Sequence, residues 1–149
     1  MKKIYLLIFS AMIVLAVFFI FNAEKVEGTE AVYYKSISCG CCDAHSKYLN
    51  SKGFSVKVNN LQSIDSIKSD FGVPYELRSC HTVIIDDYFV EGHIPLEAIN
   101  KLLEEKPNIR GIAMPGMPSG SPGMPGAKTG FFKIYSVNHD GSYGEFMEI

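Results

Sequence analysis

Residues 31–58 carry the sequence AVYYKSISCGCCDAHSKYLNSKGFSVKV, which holds the strongest signals for the fold class. Its first six residues, Ala31 to Ser36, are rich in aromatic and β-branched side chains, which favours a strand. A helix is predicted from about Cys42 to Lys52, with Gly53 at the position after a helix end that often adopts a left-handed conformation. Residues 54–58 alternate apolar and polar side chains, which predicts a strand with one buried face. The stretch therefore predicts a β-α-β unit whose helix begins at a cluster of cysteines.

The chain downstream of this unit predicts four more elements of the same domain. These elements are a short helix capped by Ser63 over residues 64–71, strands over residues 82–85 and 88–90, and a helix from Pro95 to about Lys106. The resulting order, β-α-β-α-β-β-α, is that of an α/β, thioredoxin-like domain, which we assign to residues 31–107. Its C-x-x-C pair, Cys39 and Cys42, falls at the start of the first helix.

The N-terminal residues 1–23 predict a signal or a membrane anchor. Lys2 and Lys3 precede eighteen residues, Ile4 to Phe21, that are apolar except for one serine; such a run can span a bilayer and exceeds the core of a usual signal peptide. Cleavage after Ala23 would place Phe21 where a small residue is required, so we favour an uncleaved anchor over a cleaved signal. Either way the remainder is expected in the periplasm, and an uncleaved segment would tether it to the inner membrane. Residues 24–30 are expected to form a polar spacer.

The composition changes at residue 108. Residues 111–130 contain six glycines and four prolines, so the Met/Pro/Gly-rich segment over residues 108–130 is predicted to be irregular and extended rather than a helix or strand. Residues 131–149 predict a C-terminal β-hairpin with its turn at Asn138–Gly141. How this hairpin is placed relative to the domain is left open by the sequence.

The exported part of the chain is mildly acidic. The whole chain has 14 Lys and Arg against 16 Asp and Glu; without Lys2 and Lys3 there remain 12 basic residues and a net charge of −4. A protein that binds nucleic acid usually carries a basic patch, and this chain has no run of basic residues. We therefore expect no nucleic-acid partner.

Four cysteines carry the chemistry that the sequence predicts. Cys39 and Cys42 lie at a helix start, where unpaired N–H groups and the helix dipole lower the pKa of a thiol. Cys41 is a third sulfur in the same turn, and Cys80 precedes the third strand, which lies beside the cysteine turn in a thioredoxin-like fold. We expect the four thiols to converge and to bind one or several soft metal ions.

Histidines and methionines near this cluster are candidate auxiliary ligands. His81 adjoins Cys80 and His93 follows the fourth strand, so either can reach the site. His45 is expected to face solvent.

Met114, Met117 and Met124 belong to a repeated Met-Pro-(Gly or Ser) pattern, which in a polyproline II conformation would place Met114 and Met117 along one edge. Methionines that merely fill gaps in a linker are the alternative interpretation. Thioether and thiolate ligands favour Cu(I), and histidine also accepts Cu(II), so the predicted metal is copper with Cu(I) favoured.

These residues resemble a family of small exported bacterial proteins described as predicted metal-binding, which includes copper-resistance proteins of the CopG type. The resemblance implies a thioredoxin-like periplasmic protein that binds copper through its cysteines and serves copper tolerance, with redox handling of Cu(I) and Cu(II) as a potential enzyme activity and other periplasmic copper-handling proteins as potential partners. The motifs that carry it are Tyr34-Lys35-Ser36, Cys39-Gly40-Cys41-Cys42, Gly72-Val73-Pro74, Ser79-Cys80-His81-Thr82, Val90-Glu91-Gly92-His93-Ile94-Pro95 and residues 111–124.

Two other hypotheses remain open at this stage. In a thiol–disulfide oxidoreductase, Cys39 would attack and Cys42 would resolve the mixed disulfide; against this, Cys80 stands where redox thioredoxins carry a cis-proline. In a disulfide-stapled binding module, Cys39 would pair with Cys42 and Cys41 with Cys80. Three cysteines within one turn of chain close only tiny loops, however, so such staples would contribute little stability.

Overall fold

The computed structural model of the protein describes residues 28–149. The predicted signal or anchor over residues 1–23 and the first part of the spacer lie outside the described residues. Among the residues that are described, no helix combines the length and the apolar character needed to cross a bilayer.

Residues 28–149 form seven strands, three α-helices and one short 3-10 helix. The strands are β1 (Glu30–Ser36), β2 (Ser55–Leu61), β3 (His81–Ile85), β4 (Tyr88–Glu91), β5 (Gly111–Ala113), β6 (Lys133–Val137) and β7 (Tyr143–Glu148). The helices are α1 (Gly40–Ser51), α2 (Asp65–Asp70) and α3 (Leu96–Glu105), with the 3-10 turn at Tyr75–Leu77. The predicted order of the first seven elements, from β1 to α3, is confirmed.

The seven strands form one mixed sheet in the order β2-β1-β3-β4-β5-β6-β7. β1 pairs in parallel with β2 and antiparallel with β3, and β4 pairs antiparallel with β3 and in parallel with β5. The predicted C-terminal hairpin forms as β6 and β7 and joins the sheet through β5. The fold is therefore α/β with a mixed sheet, and the terminal hairpin extends that sheet.

The expectation that residues 111–130 contain no strand is wrong at their start. Gly111–Ala113 forms β5, which is fully buried between β4 and β6. Local composition did not predict this strand because its stability comes from hydrogen bonds to two neighbours. A Cβ on Gly111 would collide with the carbonyl oxygen of Phe89, so the close approach of β4 requires glycine here.

The expectation that β2 has one well-buried face is also wrong. Phe54, just before the strand, is 3% exposed, but Val56 is only half-buried and Val58 is 38% exposed. The reason is that β2 lies at an edge of the sheet.

The main core joins the sheet to α1 and α3. Tyr33, Val83 and Ile112 from the strands pack in one cluster with Leu49 of α1 and Ile99 of α3. Positions three and four apart on α1 are buried, as expected for a helix with one core-facing side; they are Cys42, His45, Ser46 and Leu49. The helix that begins at the cysteines is thus fixed to the core along its whole length.

Candidate metal centre

The first three cysteines sit at the junction between β1 and α1. Cys39 has an extended backbone and caps α1, Cys41 is partly buried in the first turn, and Cys42 is fully buried. Cys39 and Cys42 are joined by a disulfide, whereas Cys41 and Cys80 are free thiols. Of the two disulfides in the stapled-module hypothesis, only the one between Cys39 and Cys42 is formed.

The four cysteine sulfurs converge, as predicted. All four lie within 4.8 Å of one another, and Cys39 Sγ is 3.5 Å from Cys41 Sγ. Cys80 arrives from a different element because it immediately precedes β3, and β3 pairs with β1, the strand that leads into the cysteine turn. Metal–thiolate bonds of about 2.3 Å place sulfurs about 3.8 Å apart around a tetrahedral ion. Once the disulfide is reduced, the cluster is therefore close to the size that metal binding requires.

Cys80 also belongs to a second group of ligands, together with His81 and His93. Its sulfur lies 3.3 Å from His81 Nδ1 and 3.1 Å from His93 Nε2. Both predicted histidines therefore reach the site, and both are fully buried. Because Cys80 is shared by the two groups, its sulfur can bridge two ions.

Burial has opposite consequences for metal binding at the thiol and at the two imidazoles of this second group. Burial, together with the neighbouring Cys41, raises the pKa of the Cys80 thiol to about 12, so a metal ion must displace its proton. Burial is also the main reason that the pKa values of His81 and His93 are lowered. Both imidazoles are accordingly neutral near neutral pH, which is the form that binds metals.

The two rings differ in how they are held. His93 Nδ1–H donates a 2.8 Å hydrogen bond to the carbonyl of Pro122, which leaves the lone pair of Nε2 directed at Cys80. His81 Nε2 is buried without a hydrogen-bond partner among the described residues. The ring of His81 stacks on Tyr33 at a centroid distance of 4.6 Å. The nitrogen of His81 that faces Cys80 is Nδ1, so Nδ1 is the atom with which this ring could bind a metal ion beside Cys80.

The expectation that His45 faces solvent is wrong. His45 is fully buried, with ring centroids 4.7 Å from His81 and 5.2 Å from His93. If Nε2–H donates to the carbonyl of Ile94, Nδ1 accepts from the Tyr33 hydroxyl, each at 3.2 Å. Burial lowers the pKa of His45 to about 4. Its spacing of three residues from Cys42 was the signal available in the sequence, because such neighbours share a helix face.

The three predicted methionines have different surroundings. Met114 is 1% exposed and belongs to the core cluster against which Cys39, Cys41 and Cys80 pack. Met117 is 51% exposed, and Met124 is half-buried. Met114 and Met117 thus differ in burial, because Met114 continues directly from β5 and its N–H donates to the backbone carbonyl of Glu91.

The Met/Pro/Gly-rich segment lies against the site at three points. The Ser79 hydroxyl donates to the carbonyl of Gly116 at 2.8 Å, and Pro122 holds His93. Gly123 packs so closely on α1 that an added Cβ would lie 2.7 Å from His45 N. The segment is thus a strap across the cysteine turn and the histidines.

A buried polar network behind Cys80 was missed by sequence analysis. Lys68 of α2 forms a buried ion pair with Glu91 of β4, and Thr82 contacts both. A charged residue directly after the apolar run of β4 was the only signal for Glu91. Nothing in the sequence indicated its partner, which lies 23 residues away in the chain.

The fold and the site define an α/β protein with a cysteine- and histidine-rich cluster that is able to bind a metal ion. Comparisons with known proteins agree with this class. The family model described as "Protein of unknown function, DUF411" matches residues 77–124, which include Cys80, His93 and the strap as far as Met124. No curated protein matches the chain.

Two solved structures are similar to this chain over most of its length. They are described as "Copper resistance protein copG- Form 1" and "Form 2". Each is 37% identical with a TM-score of 0.76; the alignment covers 83% of this chain and 98% or 99% of the other. The chain belongs to the family of the copper resistance protein CopG.

Proposed function

We propose that the protein binds copper, held mainly as Cu(I), and serves copper resistance in the periplasm. The observation that carries this proposal is the convergence of four cysteine sulfurs with two buried histidines on Cys80. Membership of the CopG family supports the choice of metal, because the relatives are described as copper resistance proteins.

The donor set favours copper on chemical grounds. Thiolate sulfurs are soft ligands that select Cu(I), zinc or iron–sulfur clusters, and thioethers narrow that choice toward Cu(I). We assign Cys39, Cys41, Cys42 and Cys80 as thiolate ligands, with His81 and His93 on the Cys80 side. Imidazole also accepts Cu(II), so the mixed set supports redox handling of the metal.

Methionine thioethers are proposed as auxiliary ligands. Met117 follows Gly116, whose carbonyl accepts a hydrogen bond from Ser79 next to Cys80, and its side chain is 51% exposed. Met114 lies in the core cluster against which three of the cysteines pack. Met124 follows the part of the strap that rests on α1.

Charge supports more than one copper ion in the site. Four thiolates around a single Cu(I) would leave a net charge of −3 in a site where Cys42 is fully buried. Burying uncompensated charge is costly, and each additional Cu(I) removes one negative charge. Sulfurs that lie within 4.8 Å of one another can bridge such ions.

We further propose a thioredoxin-like classification and an exported location. The order of the elements from β1 to α3, with Cys39 and Cys42 at the start of α1, supports the classification. The apolar run after Lys2 and Lys3 supports export as a cleaved signal or an inner-membrane anchor. Periplasmic copper-handling proteins are the partners this location implies.

The disulfide between Cys39 and Cys42 favours a second candidate function, thiol–disulfide exchange. The two functions use the same sulfurs in different states, because the disulfide must take up two electrons before Cys39 and Cys42 can both act as thiolate ligands. The free thiols of Cys41 and Cys80 are needed only for metal binding. Substituting Cys41 or Cys80 therefore distinguishes copper binding from thiol–disulfide exchange.

The test uses the full chain, purified and reduced without oxygen, and its Cys41→Ser and Cys80→Ser variants. Copper binding predicts Cu(I) uptake with mainly sulfur and some nitrogen scatterers in X-ray absorption at the copper edge, and a strong loss of uptake in both variants. An oxidoreductase predicts insulin-reduction activity that survives both substitutions, together with no copper uptake. The second result would refute the proposed function.

A further inference from the structure

A single carboxylate binds both ends of the segment that carries Cys80 and His81. Glu91 Oε1 accepts from the N–H of Ser79 at 2.5 Å, and Oε2 accepts from the hydroxyl of Thr82 at 2.6 Å. Ser79 and Thr82 directly flank the two ligands in sequence. Glu91 itself is fully buried and, in sequence, two residues before His93. One side chain therefore fixes the backbone positions from which all three members of the second ligand group extend.

Lys68 completes this arrangement from a third element. Its Nζ forms an ion pair with Glu91 and donates to Thr82 Oγ1 at 3.1 Å. Lys68 is 3% exposed and is the only buried residue of α2, so the ion pair is one link between this short polar helix and the sheet. The charge of the carboxylate is thus neutralised without any contribution from the ligands.

The energetics suggest a task beyond stability. Taking a lysine and a glutamate out of water is costly, and well-packed apolar residues in their place are often neutral or stabilising. The Glu91 carboxylate nevertheless accepts three hydrogen bonds, from Lys68, Ser79 and Thr82. Among the described residues, neither Glu91 nor Lys68 forms a hydrogen bond with a sulfur or ring nitrogen of the ligands. A partner that orients ligands without binding the metal is a recurrent feature of metal sites.

We propose that Glu91, neutralised by Lys68, is a positioning residue that holds Cys80, His81 and His93 in place as a preformed ligand group. The inference rests on the proposed copper-binding function and adds its supporting machinery. The polar network keeps the ligand-bearing segments in register before copper arrives, so less ordering has to accompany binding.

Two double variants distinguish the positioning role of Glu91 from any effect of the buried charges. In Lys68→Met with Glu91→Gln the buried charges are removed, but the glutamine carbonyl still accepts from Ser79. In Lys68→Met with Glu91→Leu the charges are equally absent and the acceptor is lost as well. Thr82→Val removes the hydrogen bond to Glu91 Oε2 and the one from Lys68, and it leaves the hydrogen bond between Ser79 and Glu91 in place. Unfolding by denaturant establishes that each variant of the full chain is folded.

Three readouts are compared for the folded variants: Cu(I) affinity by competition with a chromophoric chelator, histidine scattering at the copper edge, and amide hydrogen exchange across residues 79–82 in the metal-free protein. We expect the glutamine variant to resemble the unmodified protein. We expect the leucine variant to bind Cu(I) about 10- to 100-fold more weakly, to lose histidine scattering and to exchange faster. Thr82→Val should fall between the two.

Unchanged affinity and scattering in a folded leucine variant would overturn the proposal. If that variant does not fold, the same result in Thr82→Val would overturn it. If neither the unmodified protein nor any variant binds copper, the proposed function is refuted instead. Hydrogen exchange then still tests the positioning role. Exchange across residues 79–82 that is equal in the glutamine and leucine variants, or unchanged in Thr82→Val, would overturn that role.

Discussion

Replacing Gly123 by alanine tests whether the strap must lie directly on α1. Gly123 has a φ of +83°, and a Cβ there would lie 2.7 Å from His45 N, 3.0 Å from His45 Cα and 3.1 Å from the carbonyl oxygen of Cys41. These are backbone atoms within a helix, so they cannot rotate aside. The strap would have to move outward instead, and the 2.8 Å hydrogen bond between His93 and Pro122 would lengthen or break.

Gly141, in the turn between β6 and β7, offers a matched control outside the site. Its φ of +86° is similar, but a Cβ there would meet nothing within 4 Å. Alanine in the left-handed region costs about 1–2 kcal/mol at either position. At Gly123 the steric clash adds about 1–3 kcal/mol. We therefore expect Gly141→Ala to lower the free energy of unfolding by about 1–2 kcal/mol and Gly123→Ala by about 2–5 kcal/mol.

Denaturant unfolding and Cu(I) competition measure the two consequences. The carbonyl of Pro122 sets the ring nitrogen that His93 directs at Cys80, so Gly123→Ala should weaken Cu(I) binding about 10-fold or more, as for other groups that orient ligands. Gly141→Ala should leave the affinity unchanged. Equal losses of stability for the two variants, together with equal affinities, would show that the strap does not act on the site through this contact.

Three further predictions follow from the same contacts. Tyr33→Phe leaves Nδ1 of the buried His45 without its hydroxyl donor, so the free energy of unfolding should fall by about 1–3 kcal/mol in denaturant titrations; no change would mean that the hydrogen bond is not formed in solution. Lys68→Met leaves a buried carboxylate unpaired and should lower the free energy of unfolding by about 3–5 kcal/mol. Lys101→Met breaks an exposed pair and should lower it by about 0.3–0.5 kcal/mol in the same titration; similar losses would contradict the burial of the first pair. Met117→Leu should weaken Cu(I) binding in chelator competition while changing the unfolding free energy by less than about 0.5 kcal/mol, and an unchanged affinity would remove this thioether from the ligand set.

Most of the secondary structure was predictable because local signals and tertiary packing agree. Gly53 has a φ of +100° just after α1, and Pro95 directly precedes α3, as their sequence positions predict. The exception is β5, which has three residues and no local preference for a strand. It forms because β4 and β6 offer hydrogen bonds on both of its edges.

The location of the site at the cysteines was also predictable, but the burial of His45 beside it was not. Cysteine is the clearest chemical signal in a sequence, and Cys80 could be placed beside the turn from the order of the strands. His45 was misjudged because a helix position next to a loop does not show what packs on it. In the structure, the strap and the carbonyl of Ile94 cover that face of α1.

The sequence alone determined the chemical type of the centre: which sulfur and imidazole groups exist, and that Cys39, Cys41 and Cys42 share one helix start. These are consequences of covalent spacing and of helix geometry, which act over a few residues. Three contacts became visible only in the folded chain: the hydrogen bond between Tyr33 and His45, those from Ser79 and Thr82 to Glu91, and the packing of the glycine-rich strap on the histidines. Such contacts join residues far apart in the chain, and they form because burial leaves each polar group dependent on whichever partner the fold brings within reach.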